Sequence, residues 1–400
     1  MATNATNSVL TINMITAKFL VILHQKCNFV GSVNREYDDS FANSGAKIGN
    51  TLRIRLPVQY LVNTGANLVM QNTVENNISL TISTQKHVAF SFNTADLTLS
   101  IDDFSNRYIE PAATVLAASL ESDCIRQCYN ATWNEVAVTG AQTFKNVLTA
   151  RKTLLDNLTP QSKQWQLRIN TQDNVDMVDV LKGLFQSTTQ ISRQYTDGVM
   201  GLSGGFEWAE NTHLSQFTPG ARSTAYVLNG VPASGATSAV VATGTGAMVV
   251  GDTFTIAGVY RVHPETKVVT AVLQNFVVTA AYAGGAGTIN FAPAMVYDAT
   301  SGYQNVGAAP ATNAALTFAG TLSTARGMSL AYHPDAFCVG TADLVMPQGV
   351  DMAARAVKDG ISCRIVRQYD INNDFLPCRI DILYGVAAIR PQLACRVTAN

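Results

Sequence analysis

The stretch 221–320 constrains this chain more than any other part of it. Its hundred residues carry six charges, on Arg222, Asp252, Arg261, Glu265, Lys267 and Asp298. Helical spacing is absent there. Short β-branched runs at 225–228, 239–241, 253–259, 268–280, 288–291 and 316–318 alternate with Gly, Pro and Ser punctuation. Strands at such spacing, with no helix between them, predict a self-contained sandwich or small barrel.

The flanks read differently. Residues 110–128 place Ala113, Leu116, Ala117, Leu120, Cys124 and Cys128 at helical spacing, with Pro111 tolerated in the first turn. Thr139 and Gln142 have the spacing of a capping box ahead of Phe144, Val147, Leu148, Leu155 and Leu158, and Pro160 supplies a stop. A strand follows at 163–170 and a helix at 175–185, where Gly183 weakens the pattern. Beyond 328 mixed structure returns, with strands at 364–369 and 379–388. The simplest topology is an all-β module inserted into an α+β host whose two halves flank it.

Residues 51–62 alternate strictly, with Leu52, Ile54, Leu56, Val58, Tyr60 and Val62 on one face. Pro57 cannot donate to a ladder, which places the strand at a sheet edge. A second β-rich run, 78–92, answers it and predicts a long two-stranded arm. An isolated hairpin is marginal in water, so this one needs something to lie on. Residues 14–30 read as a short amphipathic arm; Lys18 interrupts the apolar run 14–23, which fits neither a signal peptide nor a membrane span.

Charge narrows the function. Lys and Arg number 27 against 28 Asp and Glu, so bulk charge does not point to nucleic-acid binding. Charged residues are only 14% of the chain, where about 25% is usual. Such a surface is either coated with neutral polar groups, in which this chain is rich, or covered by other proteins. The seven cysteines, Cys27, Cys124, Cys128, Cys338, Cys363, Cys378 and Cys395, are scattered and read as free buried thiols. No second Cys or His pair completes a tetrahedral metal site with Cys124 and Cys128.

Catalytic patterns fail on context. Gly201, Ser203 and Gly205 spell G-x-S-x-G, but the strand before and helix after that a nucleophile elbow needs are missing, and a glycine-permitted loop is the plainer reading. The five histidines have no metal spacing, and His333 before Pro334 and Asp335 reads as a turn. No phosphate loop is present. The pairs Asp38/Asp39 and Asp102/Asp103 point to opposite faces of a strand. Arg53 and Arg55 share the polar face of the edge strand and could grip carboxylates or phosphates; solvated arginines that keep the edge soluble are the simpler reading. No catalytic, metal or cofactor residue is expected, so the chain binds or builds. One binding alternative is a β-rich surface or fibre protein recognising carbohydrate through Tyr226, Tyr260, Tyr282, Tyr297 and Tyr303.

The segments SFANSGAKIGNTLRIRLPVQY at 40–60, LFQSTTQISRQYTDGVMGLSGGFEW at 184–208, LAYHPDAF at 330–337 and DGISCRIVRQYDINNDFLPCRIDILYGVAAIRPQLACRV at 359–397 carry a resemblance. Together with GDTFTIAGV at 251–259, they resemble the coat proteins of short-tailed phages of the Salmonella-phage type. The resemblance spans nearly the whole chain. It implies the tailed-phage and herpesvirus capsid fold with an extra β domain. It divides the chain into an N-terminal arm (1–35), an extended β arm (36–100), a peripheral domain with a spine helix (101–138), an axial domain (139–220 and 323–362), an inserted β barrel (221–322) and return strands (363–400).

The implied function is a major capsid protein that self-assembles as hexamers and pentamers into an icosahedral shell around double-stranded DNA. Implied partners are other copies, a scaffolding protein, a portal and the packaged DNA, held without sequence preference. The implied place is the virion, after assembly in the host bacterial cytoplasm. The arm's Arg53, Ile54, Arg55, Leu56, Val58 and Tyr60 are then the expected inter-subunit contacts. One departure stands out: the family's early insertion-domain loop is often charged, whereas 231–238 here is not.

Overall fold

The computed structural model describes residues 21, 27–35, 51–71, 75–93, 110–181, 200–214, 216–222, 226–358 and 361–399. Most of the expected amphipathic arm at 14–30, both acidic pairs and the approach to Gly201 lie outside them. Two compact units divide the chain: Met1–Arg53, Ser79–Cys124 and Cys338–Ala387 form one, and Ile54–Ile78, Ile125–Phe337 and Ala388–Asn400 the other.

In the first unit, helix α1 (Glu110–Ala131) contributes its residues as far as Cys124. Ala113, Leu116, Ala117, Leu120 and Cys124 are all buried, the face that the spacing predicts. Glu121 is buried on the same helix, and its carboxylate accepts from the backbone N–H groups of Phe29 at 2.6 Å and Val30 at 3.2 Å. That pair of bonds anchors the single 3-10 turn Val30–Ser32. A five-stranded sheet runs in the order β15 (Phe337–Ala342), β18 (Phe375–Ala388), β17 (Ile361–Arg367), β16 (Met352–Lys358), with β3 (Thr84–Asn93) also paired to β18.

The long two-stranded arm is shorter than its sequence pattern suggests. β1 covers Thr51–Arg55 and, among the described residues, pairs only with β2 (Asn77–Thr81), and one further bond runs from the Leu56 N–H to the Asn76 carbonyl. After Ile82 and Ser83 the chain changes partner. β3 then zips antiparallel along β18 from Asn93↔Phe375 to Thr84↔Tyr384. Alternation continues to Val62, but Pro57 offers no donor, and a ladder without a partner does not extend.

The second unit holds a six-stranded sheet ordered β4 (Glu135–Ala137), β19 (Ala394–Ala399), β14 (Gly327–Tyr332), β5 (Trp165–Ile169), β7 (Phe206–Glu210), β6 (Leu202–Ser203). Helices α2 (Phe144–Asp156) and α3 (Thr171–Leu181) pack on it through Val147, Ala150, Leu154 and Met177, against Trp165, Leu167, Phe206, Trp208 and Val397. The capping box is not formed. α2 starts from Thr143, and the Gln142 side-chain oxygen instead accepts from Thr143 N–H and Asn146. α3 begins four residues before its apolar pattern because Asn170 accepts the Asp173 N–H at 2.7 Å and opens the helix early.

Between β7 and β14 the chain builds a sheet entirely from its own residues. The order is β13 (Leu316–Phe318), β10 (Thr253–Val262), β11 (Val269–Val278), β12 (Gly287–Met295), β9 (Ala236–Thr243), β8 (Val227–Leu228). Its two ends meet: Leu228 N–H donates to Ala314 O at 3.0 Å and Leu316 N–H to Tyr226 O at 2.9 Å, with a bridge between Val227 and Ala315. The sheet is therefore a closed barrel. Phe254, Phe276 and Phe291 fill its middle with ring centroids 5.2 to 6.0 Å apart, and Ile256, Val278, Ile289 and Leu316 complete the core. Every strand expected from the β-branched runs is present.

Candidate functional site

The arm carries several uncovered apolar side chains, as do other segments, among them Val345 and Ile371. Beyond β1, Val62 is 94% exposed, Leu68 86% and Met70 83%, and Tyr60 and Val69 are also exposed. Gln71 clips this loop by donating to Leu61 O at 2.5 Å and accepting from Leu61 N–H at 2.9 Å.

The six arm residues singled out by sequence divide. Arg53 and Arg55 are exposed, and Arg55 lies 3.5 Å from Glu75 with both side chains in solvent, a pair of little energetic weight. Tyr60 is exposed, and Leu56 and Val58 are half-buried. Ile54 is buried within its own chain, so it supports the arm rather than offering a contact. The alternation matches the burial as far as Val58; beyond it Tyr60 and Val62 are exposed and Leu61 is half-buried, and Leu68 and Met70 lie in a segment with no period.

The second feature is a buried ionic joint where the barrel's corner and both its connecting strands meet β4, β19 and the end of α1. Phe217 and Arg326, on the chain entering and leaving the barrel, exchange both backbone bonds at 2.9 Å. The Arg326 guanidinium reaches Glu135 at 3.0 Å, and Thr398 donates to the same carboxylate at 2.9 Å while Thr253 donates to its other oxygen. Arg396 donates to Gly251 O at 2.6 Å and Asn130 O at 3.3 Å, and sits over the Tyr129 ring at 4.4 Å. Arg222 pairs with Asp252 at 3.2 Å and lies over the Phe318 ring at 5.1 Å. All five charged side chains are buried.

Three guanidiniums thus face two carboxylates out of reach of water. Burial raises the Glu135 carboxyl, but Arg396, Arg326 and the two threonine hydroxyls outweigh it and hold Glu135 below the usual carboxylate range. Glycine is required where backbone passes close. Gly251 has φ +98°, and a Cβ there would lie 2.6 Å from Asn130 Oδ1. Nothing local in the sequence pairs Glu135 with Arg326 and Arg396. The usable signal was the scarcity of charge: Arg222 and Asp252 are two of only six charges in 221–320, and Arg261, a third, reaches back to Asp156 at 3.2 Å.

The whole-chain comparison decides what this assembly of parts is. A family model described as "P22 coat protein - gene protein 5" matches residues 1–396. The chain belongs to the P22 coat protein family. It is a major capsid protein, a structural component of the phage shell that assembles with its own copies. Comparison with curated proteins finds no match. Among solved structures, this coat protein is similar to chains from Mycobacterium phage Che8 (12% identity, 92% of this chain and 90% of that one, TM-score 0.48) and Ralstonia phage GP4 (6%, 92% and 86%, 0.46). It is also similar to the capsid structure of the cyanophage P-SCSP1u (12%, 90% and 85%, 0.44).

Other sequence features of the coat protein fall into place around this. Gly201, Ser203 and Gly205 lie in a β hairpin, not an elbow: β6 pairs antiparallel with β7, and Gly204 and Gly205 turn it at φ +60° and +84°. His333 opens a 3-10 turn, its Nδ1 accepting the Asp335 N–H at 3.1 Å. All seven cysteines are buried free thiols, and burial pushes Cys378 up to about 11. Tyr226 is buried in the barrel core and Tyr282 and Tyr297 pack against that core, whereas Tyr260 is exposed and Tyr303 half-buried. The uncharged loop 231–238 is tied within the barrel by Ser234, which accepts from the N–H groups of Tyr297 and Asp298, each at 3.2 Å.

Proposed function

We propose that this coat protein forms hexameric and pentameric capsomers of an icosahedral shell around double-stranded DNA, and that residues 62–70 of the arm are the surface it lends to a neighbouring copy. The observation that carries the contact is the run of uncovered apolar side chains at Val62, Leu68 and Met70 on a chain whose family builds shells. Burying three such side chains against a neighbour is worth several kcal/mol, at about 25 cal/mol per Å². In this reading 221–322 is an inserted domain on the capsid fold. A scaffolding protein and a portal take part in assembly, the bacterial cytoplasm is where it occurs, and DNA is enclosed without sequence-specific grip, consistent with the near-zero net charge.

The test is a double substitution, Leu68→Asp with Met70→Asp, in chains co-expressed with the phage's scaffolding protein. Electron microscopy should show shells from the unaltered chain and unassembled subunits of native circular dichroism from the variant. Normal shells from the variant would remove the arm from this role. Ile54 is the wrong probe, because Asp at that buried position damages the subunit itself.

A further inference from the structure

We propose that the polar pocket beside the Ser203–Gly205 turn is a receptor for a carboxylate presented by a second copy of the coat protein, with Arg151 as the receiving residue. The pocket has a volume of about 320 Å³ and is lined by Arg151, Gln161, Lys163, Trp165, Ser203 and Gly205, among others. Arg151 projects from α2, and its Nε is buried without a hydrogen-bond partner. Among the described residues no carboxylate lies within ion-pair reach of it. The neighbouring cation, Lys163, is already committed to Asp335 at 2.9 Å.

The turn is built around that guanidinium. Gly205 has φ +84°, and a Cβ on it would sit 2.9 Å from Arg151 Nε, so the arginine lies against bare backbone. Gln164 donates to Gly205 O at 3.2 Å and braces the pocket's rim. A guanidinium with a buried, unpartnered Nε and no carboxylate in reach can receive an incoming one, and its planar fork matches carboxylate geometry. A DNA backbone fits less well, because gripping a polyanion takes several free cations and this pocket has one. The inference rests on the self-assembly of the chain, which makes another copy the partner always at hand.

Two variants test it in the full-length chain. Arg151→Gln should leave the circular dichroism and melting of the subunit unchanged while raising the subunit concentration for half-assembly about tenfold, the loss of one charge-assisted pair. In shells of Arg151→Lys made from mixed isotope-labelled and unlabelled chains, a carbodiimide should join residue 151 to an Asp or Glu of another copy. The Lys163–Asp335 link within one chain should form in shells and free subunits alike and serves as the internal standard. Normal assembly of Arg151→Gln, a residue-151 link confined to its own chain, or shielding of residue 151 only in DNA-filled particles would each overturn the inference while leaving the shell reading intact. An unaltered chain that never forms shells would overturn both.

Discussion

Glu135→Gln withdraws one of the two carboxylates that face three buried guanidiniums, while keeping the shape and much of the hydrogen bonding of the side chain. Arg326 loses its ion pair at 3.0 Å, and Arg396 loses a carboxylate to which it is electrostatically coupled. Stranding a buried charge in this way costs about 3–5 kcal/mol. With a urea dependence of about 3 kcal/mol per molar, the unfolding midpoint should fall by about 1 M or more. The assay is urea unfolding followed by tryptophan fluorescence for the unaltered chain, Glu135→Gln, Arg326→Met and the double variant. The double variant should lose clearly less than the sum of the two, because the charge left behind by each single change is absent from it. Acid should discriminate too. A carboxyl held below its unfolded value of about 4.5 contributes stability that is fully present above that pH and disappears as pH falls through the folded value, so Glu135→Gln should flatten this part of the acid limb. A loss under about 1 kcal/mol for Glu135→Gln, or strict additivity in the cycle, would refute the argument that charge compensation holds the joint together.

Three further outcomes follow from the packing. Phe276→Ala empties the centre of the barrel, between Phe254 and Phe291, and should cost about 3–5 kcal/mol in the same urea assay. Asp173 is buried beside Ser329, and burial pushes its carboxyl from the ordinary 3.8 up to about 6; its contribution to stability is therefore fully present below about 3.8 and is lost as pH rises through 6, and Asp173→Asn should flatten thermal stability measured between about pH 4 and 7. Gly251→Ala should destabilise by about 2 kcal/mol or more through clash at Asn130, whereas Gly258→Ala, also at positive φ but facing open space, should cost about 1 kcal/mol; equal losses on thermal melting would refute the close-approach argument.

What could be read from the residues follows from the range of the forces involved. The barrel strands were legible because β-branched runs bounded by glycine are a local signal. α1 was legible because six apolar residues fall on one face. The start of α3 was missed because Thr171, Gln172 and Asp173 have no apolar period and are helical only through the Asn170 cap. The arm was overextended because alternation says which face is apolar and not where the partner strand ends. β3 was assigned to that arm when its partner, β18, lies nearly 300 residues further along the chain. The joint escaped notice for the same reason, since Glu135, Arg326 and Arg396 share no spacing. The pocket at Arg151 was half visible: the glycines of the turn drew attention as a hydrolase pattern, and their φ values explain them instead.

The closure of the barrel reaches beyond the single subunit. A sheet with a loose rim advertises unpaired amides, and at the crowding inside a growing shell such a rim would recruit strands from whatever copy lies nearest. Here the two shortest strands, β8 and β13, seal the cylinder with main-chain bonds at Leu228 and Leu316. The barrel thus offers a neighbouring copy no strand edge to zip onto, and any contact it makes is made by side chains, which can be tuned one at a time.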